Sequence, residues 1–196
     1  DATDVSIAGT VLSAIGAKTG GVVTVTNDII ITGSNTEVTA ALVTTDTLVV
    51  AATAKVTISD GTDVSIAGTV LSAIGAKTSG VVTVTNDIVI TGSNTEVTAA
   101  LVTTASLVVA ATAKVTISDA DDTSIAGTVL SAIGDKTSGI VTVTHAIIIT
   151  GTLAEVTAAL VETAKLVVVS DAKATISDAA GTDIDATDLS AIGAKT

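Results

Sequence analysis

Residues 5–19 read VSIAGTVLSAIGAKT, and the same fifteen residues return at 64–78. A close copy begins at Thr123, and DLSAIGAKT closes the chain at 188–196. Each recurrence comes 59 residues after the last, without insertion. The chain therefore divides into copies at 1–59, 60–118 and 119–177, with a partial fourth at 178–196. Copies one and two differ only at Ala2/Gly61, Gly20/Ser79, Ile30/Val89, Asp46/Ala105 and Thr47/Ser106, and the third has drifted further. A unit repeated at a fixed period without linkers is expected to bury its apolar face against its neighbours. We read residues 1–196 as one continuous array rather than a row of compact domains. The fourth copy stops inside the unit, as a window on a longer array would, and no charged-then-apolar leader follows Asp1.

Each copy splits into two halves. VTVTNDIIITG (23–33) leads into SNTEVTAALVTT (34–45), and VVAATAKVTISD (49–60) leads into GTDVSIAGTVLSAIGAKT (61–78). The β-branched runs Val22–Thr26, Asp28–Thr32, Leu48–Ala52 and Lys55–Ser59 are expected to be strands, with a bend at Asn27 and Asp28. Alternation sends Val23, Val25, Ile29 and Ile31 inward and Thr24 and Thr26 outward. Ser34 followed by Glu37 makes a capping box, repeated at Ser93/Glu96 and Thr152/Glu155. Val38, Ala41 and Leu42 then share one helical face. Ile7, Val11, Leu12 and Ile15 share another, with Gly16 as its C-cap. The expected fold class is α/β, a solenoid of stacked strand–strand–short-helix coils with parallel β-sheets. One coil per half-copy makes each copy two rungs, and puts Ile29 and Ile88 roughly 10 Å apart, two strand spacings. Helices are wider than strands, so a helical side is expected to curve the stack.

Composition narrows the function. There is no Phe, Trp, Tyr, Met, Cys, Pro or Arg, so the core must be built from Ala, Val, Ile and Leu. A net charge of −12 disfavours nucleic acid and anionic membrane surfaces, both of which attract clustered Lys and Arg. The longest apolar run, Leu48–Ala52, is far short of the roughly 20 residues of a spanning helix, so no membrane insertion is expected. The single histidine, His145, stands at the bend where the earlier copies have Asn27 and Asn86. No catalytic set repeats with the unit, and a non-enzymatic role with no cofactor is expected.

Acidic residues gather after the last strand of each copy: Asp60 and Asp63, then Asp119, Asp121 and Asp122, then Asp178, Asp183, Asp185 and Asp188. Carboxylates are the ligands calcium takes, which makes Asp119, Asp121 and Asp122 the candidate calcium site. Their spacing matches neither an EF-hand loop nor the calcium-binding β-roll nonapeptide. Capping of helix N-termini is the competing role. Being one period apart, the clusters are expected to line up along one edge. VTVT recurs at 23–26, 82–85 and 141–144, which would stack an outward file of threonines as ice-binding surfaces do. The other half-copy has VAAT (50–53) and is expected to break that file in every second coil. Neither end shows an aromatic, proline or charge-rich cap. End-to-end self-association into filaments is therefore expected.

ITGTLAEVTAALVET (149–163) and ISDAAGTDIDATDLSAIGAKT (176–196) resemble the tandem repeats of giant bacterial cell-surface and secreted proteins, especially those of aquatic bacteria and marine cyanobacteria. Those repeats alternate a TLTGTAAEVNAA-like piece with a VTLSD…ADLNALDA-like piece. Here the second piece reads DLSAIGAKT, without the Asn and the second Leu-Asp. The resemblance implies an extracellular structural or adhesive array and carries no catalytic residues. The near-identity of copies one and two also suits a consensus sequence designed from such repeats.

Overall fold

Short β-branched runs broken by Asp, Asn and Gly can only make short strands, and the structure is built from them. It is a computed structural model that describes residues 2–44, 49–103, 108–162, 167–169 and 171–196. Copy one gives β1 (Ser6–Ala8), α1 (Gly9–Gly16), β2 (Val23–Thr24), β3 (Ile30–Gly33), α2 (Asn35–Leu42), β4 (Val49–Val50) and β5 (Lys55–Ile58). Copy two repeats the order as β6 (Ser65–Ala67), α3 (Gly68–Gly75), β7 (Val82–Val84), β8 (Val89–Gly92), α4 (Asn94–Leu101), β9 (Val108–Val109) and β10 (Lys114–Ile117). Copy three gives β11 (Ser124–Ala126), α5 (Gly127–Gly134), β12 (Val141–Val143), β13 (Ile148–Gly151), α6 (Leu153–Leu160), β14 (Val167–Val169) and β15 (Lys173–Ile176), and α7 (Ala186–Gly193) comes after it. Of the expected strand Leu48–Ala52, Leu48 lies outside the described residues and only Val49–Val50 pairs.

All pairing is parallel and joins strands one turn apart. The sheets run β1-β3-β5-β7-β9, β6-β8-β10-β12-β14, β11-β13-β15 and β2-β4. Partners are Ser6 with Ile30, Ile30 with Lys55, Val56 with Val82 and Val82 with Val108, so a turn takes 24 to 26 residues. From each strand to its partner the chain passes three elements, which makes a three-sided coil. A copy carries seven elements and therefore makes two and a third turns. This corrects the expectation of one coil per half-copy. SIA, expected as part of a helix, is a strand of its own and supplies the extra third. Ile29 and Ile88 precede β3 and β8, which belong to different sheets, so they do not stack two rungs apart. Each new copy starts one side further round, and the helices go with it: α1 packs on α2, α2 meets α3, and α3 packs on α4. The wider helical rungs are thus shared among all three sides, and the expected one-sided curvature does not arise.

The interior is a set of aliphatic files along the ladders. Ile7, Ile31, Val56, Val82 and Val108 are successive register partners, and Ile66, Ile90, Val115, Val141 and Val167 repeat them in the next sheet. Ile31, Ile58, Ile90 and Ile117 are fully buried. Each such side chain contributes about 1.5–3 kcal/mol of burial. One continuous cluster runs from Leu12 to Ile192. The helices are two turns long and marginal alone. Ser34, Ser93 and Thr152 form the expected capping boxes, and Val38, Ala41 and Leu42 are buried. Gly16 closes α1 as its last residue, and Ala17 takes the C-cap position in right-handed helical geometry.

Helices could not share rungs set by strands without a close approach, and Gly9, Gly68 and Gly127 permit it. A Cβ at Gly68 would meet the carbonyl oxygen of Glu96 in α4 at 2.7 Å. Gly68→Ala gains helix propensity of up to ~1 kcal/mol, but it must push two backbones apart. A net loss of about 1–3 kcal/mol in urea melts is expected. An unchanged midpoint would mean that the two helices do not approach so closely.

Candidate functional site

The polar side chains with defined partners mostly reach to a neighbouring turn. Asp60, only 9% exposed, lies over the N-terminus of α2, 25 residues back. Its carboxylate accepts the Asn35 N–H at 2.6 Å and the Asn35 side-chain amide at 2.8 Å. Asp119 holds Asn94 of α4 in the same way, and Asp178 accepts the Leu153 N–H of α6 at 2.7 Å. Within α2 the Ser34 hydroxyl accepts the Glu37 N–H and the Glu37 carboxylate accepts the Ser34 N–H. Each capped helix therefore has three donors satisfied, one of them by the next turn, and a carboxylate at its positive end.

The loop after α3 docks backward on the preceding turn. Thr78 is buried, and its hydroxyl donates to the Ala54 carbonyl at 2.5 Å and accepts the Gly80 N–H at 3.0 Å. The Ser79 N–H donates to the Ala52 carbonyl at 2.8 Å. Gly80 lies so close to the Ala54 carbonyl that no Cβ fits there. Thr137, Ser138 and Gly139 repeat the contact on Ala111 and Ala113. None of these ties was visible in the sequence. Their signal would have been the 25-residue spacing of Asn35 to Asp60 and Asn94 to Asp119.

Asp4, Asp63 and Asp122 adopt left-handed backbone, with φ of 60°, 62° and 59°. Aspartate tolerates this region better than most residues. Each carboxylate meets a lysine two turns on: Lys55 at 2.8 Å, Lys114 at 2.6 Å and Lys173 at 2.6 Å. The hydrogen bond from Lys55 to Asp4, with the charge of Asp4 behind it, holds the ammonium above the usual lysine pKa, and Asp28 adds to it. Lys114 and Lys173 are raised in the same way by Asp63 and Asp122. These pairs are more than half exposed and contribute little stability.

The candidate calcium residues go separate ways. Asp119 caps α4, Asp121 accepts the Ala146 N–H at 3.0 Å, and Asp122 pairs with Lys173. Among the described residues no three His, Asp or Glu side chains converge as a metal site would require. Nor do the acidic clusters line up along one edge. Asp60, Asp119 and Asp178 come after β5, β10 and β15, which lie in three different sheets. Asp183 and Asp188 are exposed, and Asp185 caps α7 by accepting the Thr187 N–H, which holds its pKa below the usual carboxylate value. His145 is exposed, with its Nδ1 3.0 Å from the Thr144 hydroxyl. Among the described residues no helix is long and apolar enough to cross a membrane.

The outward threonines form a different file from the expected one. Thr32 pairs with Thr57 and Thr57 with Thr83, flanked by Ala8 and Val109. Thr91, Thr116 and Thr142 repeat this between Ala67 and Val168. The file runs unbroken over three rungs because KVTI, a strand of the other half-copy, supplies the middle threonine. On one flank the next outward file holds Ser6, Ile30 and Lys55; on the other the ladder bonds from Ser59 to Gly33 and from Thr85 to Ile58 leave the Ser59 and Thr85 side chains exposed.

The first and fourth copies differ in exposure from the second and third. Ile15 is 49% exposed, whereas Ile74, Ile133 and Ile192 are at 0%, 0% and 4%. In copies two to four this position is covered by the preceding turn. Leu12, Leu71 and Leu130 are at 3%, 0% and 0%, whereas Leu189 is at 43%. In copies one to three that position is covered by the next turn. The first described turn holds a cavity of about 520 Å³, lined by Val5, Ile7, Val11, Leu12, Ile15 and Val23 among others.

Compared with known proteins, the chain matches no family model, no curated protein and no solved structure.

If the carboxylates serve as caps, Asp119→Ala strands the Asn94 N–H and costs about 1–3 kcal/mol in urea melts. The loss should be the same in calcium and in sodium at equal ionic strength. A calcium-specific rise in the melting temperature of the unaltered chain, abolished by Asp119→Ala, would instead mark a metal site.

Proposed function

We propose that the chain is a non-enzymatic structural segment, a spacer or scaffold of a bacterial cell-surface or secreted protein, that self-associates end to end. One observation carries this reading. The polar groups that in an enzyme would gather around a substrate are here spent on tying each turn to the next, at separations of 24 to 27 residues. The same unit is used three times, so its contribution is length and regularity. The resemblance of 149–163 and 176–196 to repeats of bacterial surface proteins supports the extracellular or cell-surface setting, and the net charge of −12 supports the absence of nucleic acid as a partner.

A second reading, adhesion to a regular surface such as ice or carbohydrate, is favoured by the three-rung threonine files. The mixed flank of Ser6, Ile30 and Lys55 beside the file is the observation against it, because an extended ligand needs matching groups in two dimensions.

A spacer must lengthen in proportion to its copies. Inserting one more copy of residues 60–118 adds two and a third rungs, about 11 Å, to the long axis. Small-angle scattering of chains with one and two inserted copies checks this. Equal steps of that size with a single cooperative melt are expected. Steps of a whole domain diameter, or a separate melting transition for each copy, would contradict the reading.

A further inference from the structure

Side-chain hydrogen bonds between turns are not spread evenly along the column. Thr78 donates to the carbonyls of Ala52 and Ala54, Ser79 to Ala52, Thr85 to Ile58 and Asn86 to Asp60. Asp60 in turn holds Asn35 on the turn before it. The cluster recurs one copy on: Thr137, Ser138 and Thr144 hold Ala111, Ala113 and Ile117, and Asp119 holds Asn94. Residues 35–60, a full turn, are thus pinned to the turn that follows. Among the described residues, 61–93 have no such bond to the next turn. They are held there by the ladders β6-β8 and β8-β10 and by the packing of α3 on α4. The Asp63–Lys114 pair in this stretch reaches two turns on and is more than half exposed. A 59-residue copy is therefore one tied turn followed by one and a third untied turns.

This alternation matters when the column is stretched. The ladder bonds join one turn to the next and so lie along the column. Load along the column pulls directly on them, and it acts where folded turns meet chain that has already been released. There a turn peels away strand by strand, and strands of two to four residues give up only a few bonds at a time. A tied turn resists more, because the bonds of Thr78, Ser79, Thr85 and Asn86 must break as well. Thr78 is buried, which shelters its bonds from water until the turn lifts.

We propose that the array is a load-limiting tether that lengthens one copy at a time. The tied turn is the catch. It holds until its bonds give, and the untied turns behind it follow at the same load. Each event releases 59 residues, which extend to roughly 200 Å in place of about 11 Å of column. Heat acts on every turn and melts the array as one, since each turn is stabilised by its neighbours, whereas load acts only at the boundary. The contacts that must reform lie 24 to 27 residues apart, so a released copy rewinds readily when the load falls. This rests on the spacer reading and adds a response to load. Scattering that shows equal length steps, with stretching that shows no copy-sized events, would leave the spacer intact and overturn the tether.

Stretching single chains between two handles in optical tweezers tests it, with the unaltered chain and with chains carrying one and two inserted copies of residues 60–118. Length increments of roughly 200 Å are expected, with one more event for each inserted copy. Increments of roughly 80 Å, the size of one turn, or rupture of the whole array in one event would overturn the proposal. Removing the catch, by Thr78→Val and Ser79→Ala together with Thr137→Val and Ser138→Ala, is expected to lower the rupture force and split the increments into single turns. Thr78→Ser with Thr137→Ser keeps both hydroxyls and is expected to rupture as the unaltered chain does. Lys114→Ala, in the untied stretch, is expected to change neither force nor increment. An unchanged force without the catch, or an equal loss in Lys114→Ala, would also overturn it. Far-UV circular dichroism checks that each chain is folded, and the increments of the unaltered chain decide the matter if the valine chain is not.

Discussion

Everything in this fold depends on the parallel ladder between one turn and the next. A turn of 24 to 26 residues has no way to satisfy its own strand N–H and C=O groups, and no way to bury its Ile and Val alone. Both needs are met by the neighbouring turns. With no aromatic residue in the chain, the interior can be no thicker than facing Ile, Leu and Val side chains will fill. A narrow three-sided column satisfies that limit, and identical copies satisfy it over and over. Ile31 and Ile90 are buried to the same degree in two different sheets because the surroundings of each are rebuilt from the same residues.

The same dependence explains the polar groups. Asp60, Thr78 and Asn86 each reach a residue 24 to 26 positions away, so they lock register between turns where short strands alone would slip. Two- to four-residue strands give few ladder bonds, and side-chain ties make up the difference. Ile74 and Ile133, in the same local sequence as the half-exposed Ile15, are buried because a preceding turn covers them.

The sequence reading found the elements better than their arrangement. The capping boxes at Ser34 and Ser93, the inward Ile29 and Ile31, and the parallel α/β coil stand as expected. The turn length did not, and the reason is one short strand. Ile7 sits at helical spacing from Val11 and Leu12, so SIA extends a helical pattern, yet Gly9 begins the helix and Ile7 lies in β1. A three-residue strand that pairs on one side only leaves almost no periodic signal. Missing it gave six elements per copy instead of seven and two turns instead of two and a third. The misplaced acidic row, the broken threonine file and the expected curvature all came from that single error. The caps supplied by Asp60 and Asp119 were equally hidden, because their partners lie a full turn back and can be found only once the turn length is known.

The turn length can be measured directly. The chain has no cysteine, so paired cysteines at chosen sites carry spin labels without background. Thr32 and Thr83 lie two rungs apart on one side, through Thr57 between them, so labels there should show strong dipolar broadening at about 10 Å. Thr57 and Thr116, equivalent residues of successive copies, lie in different sheets and should show no coupling at that distance. A turn of half a copy would reverse the two results: coupling at about 10 Å between Thr57 and Thr116, and none between Thr32 and Thr83.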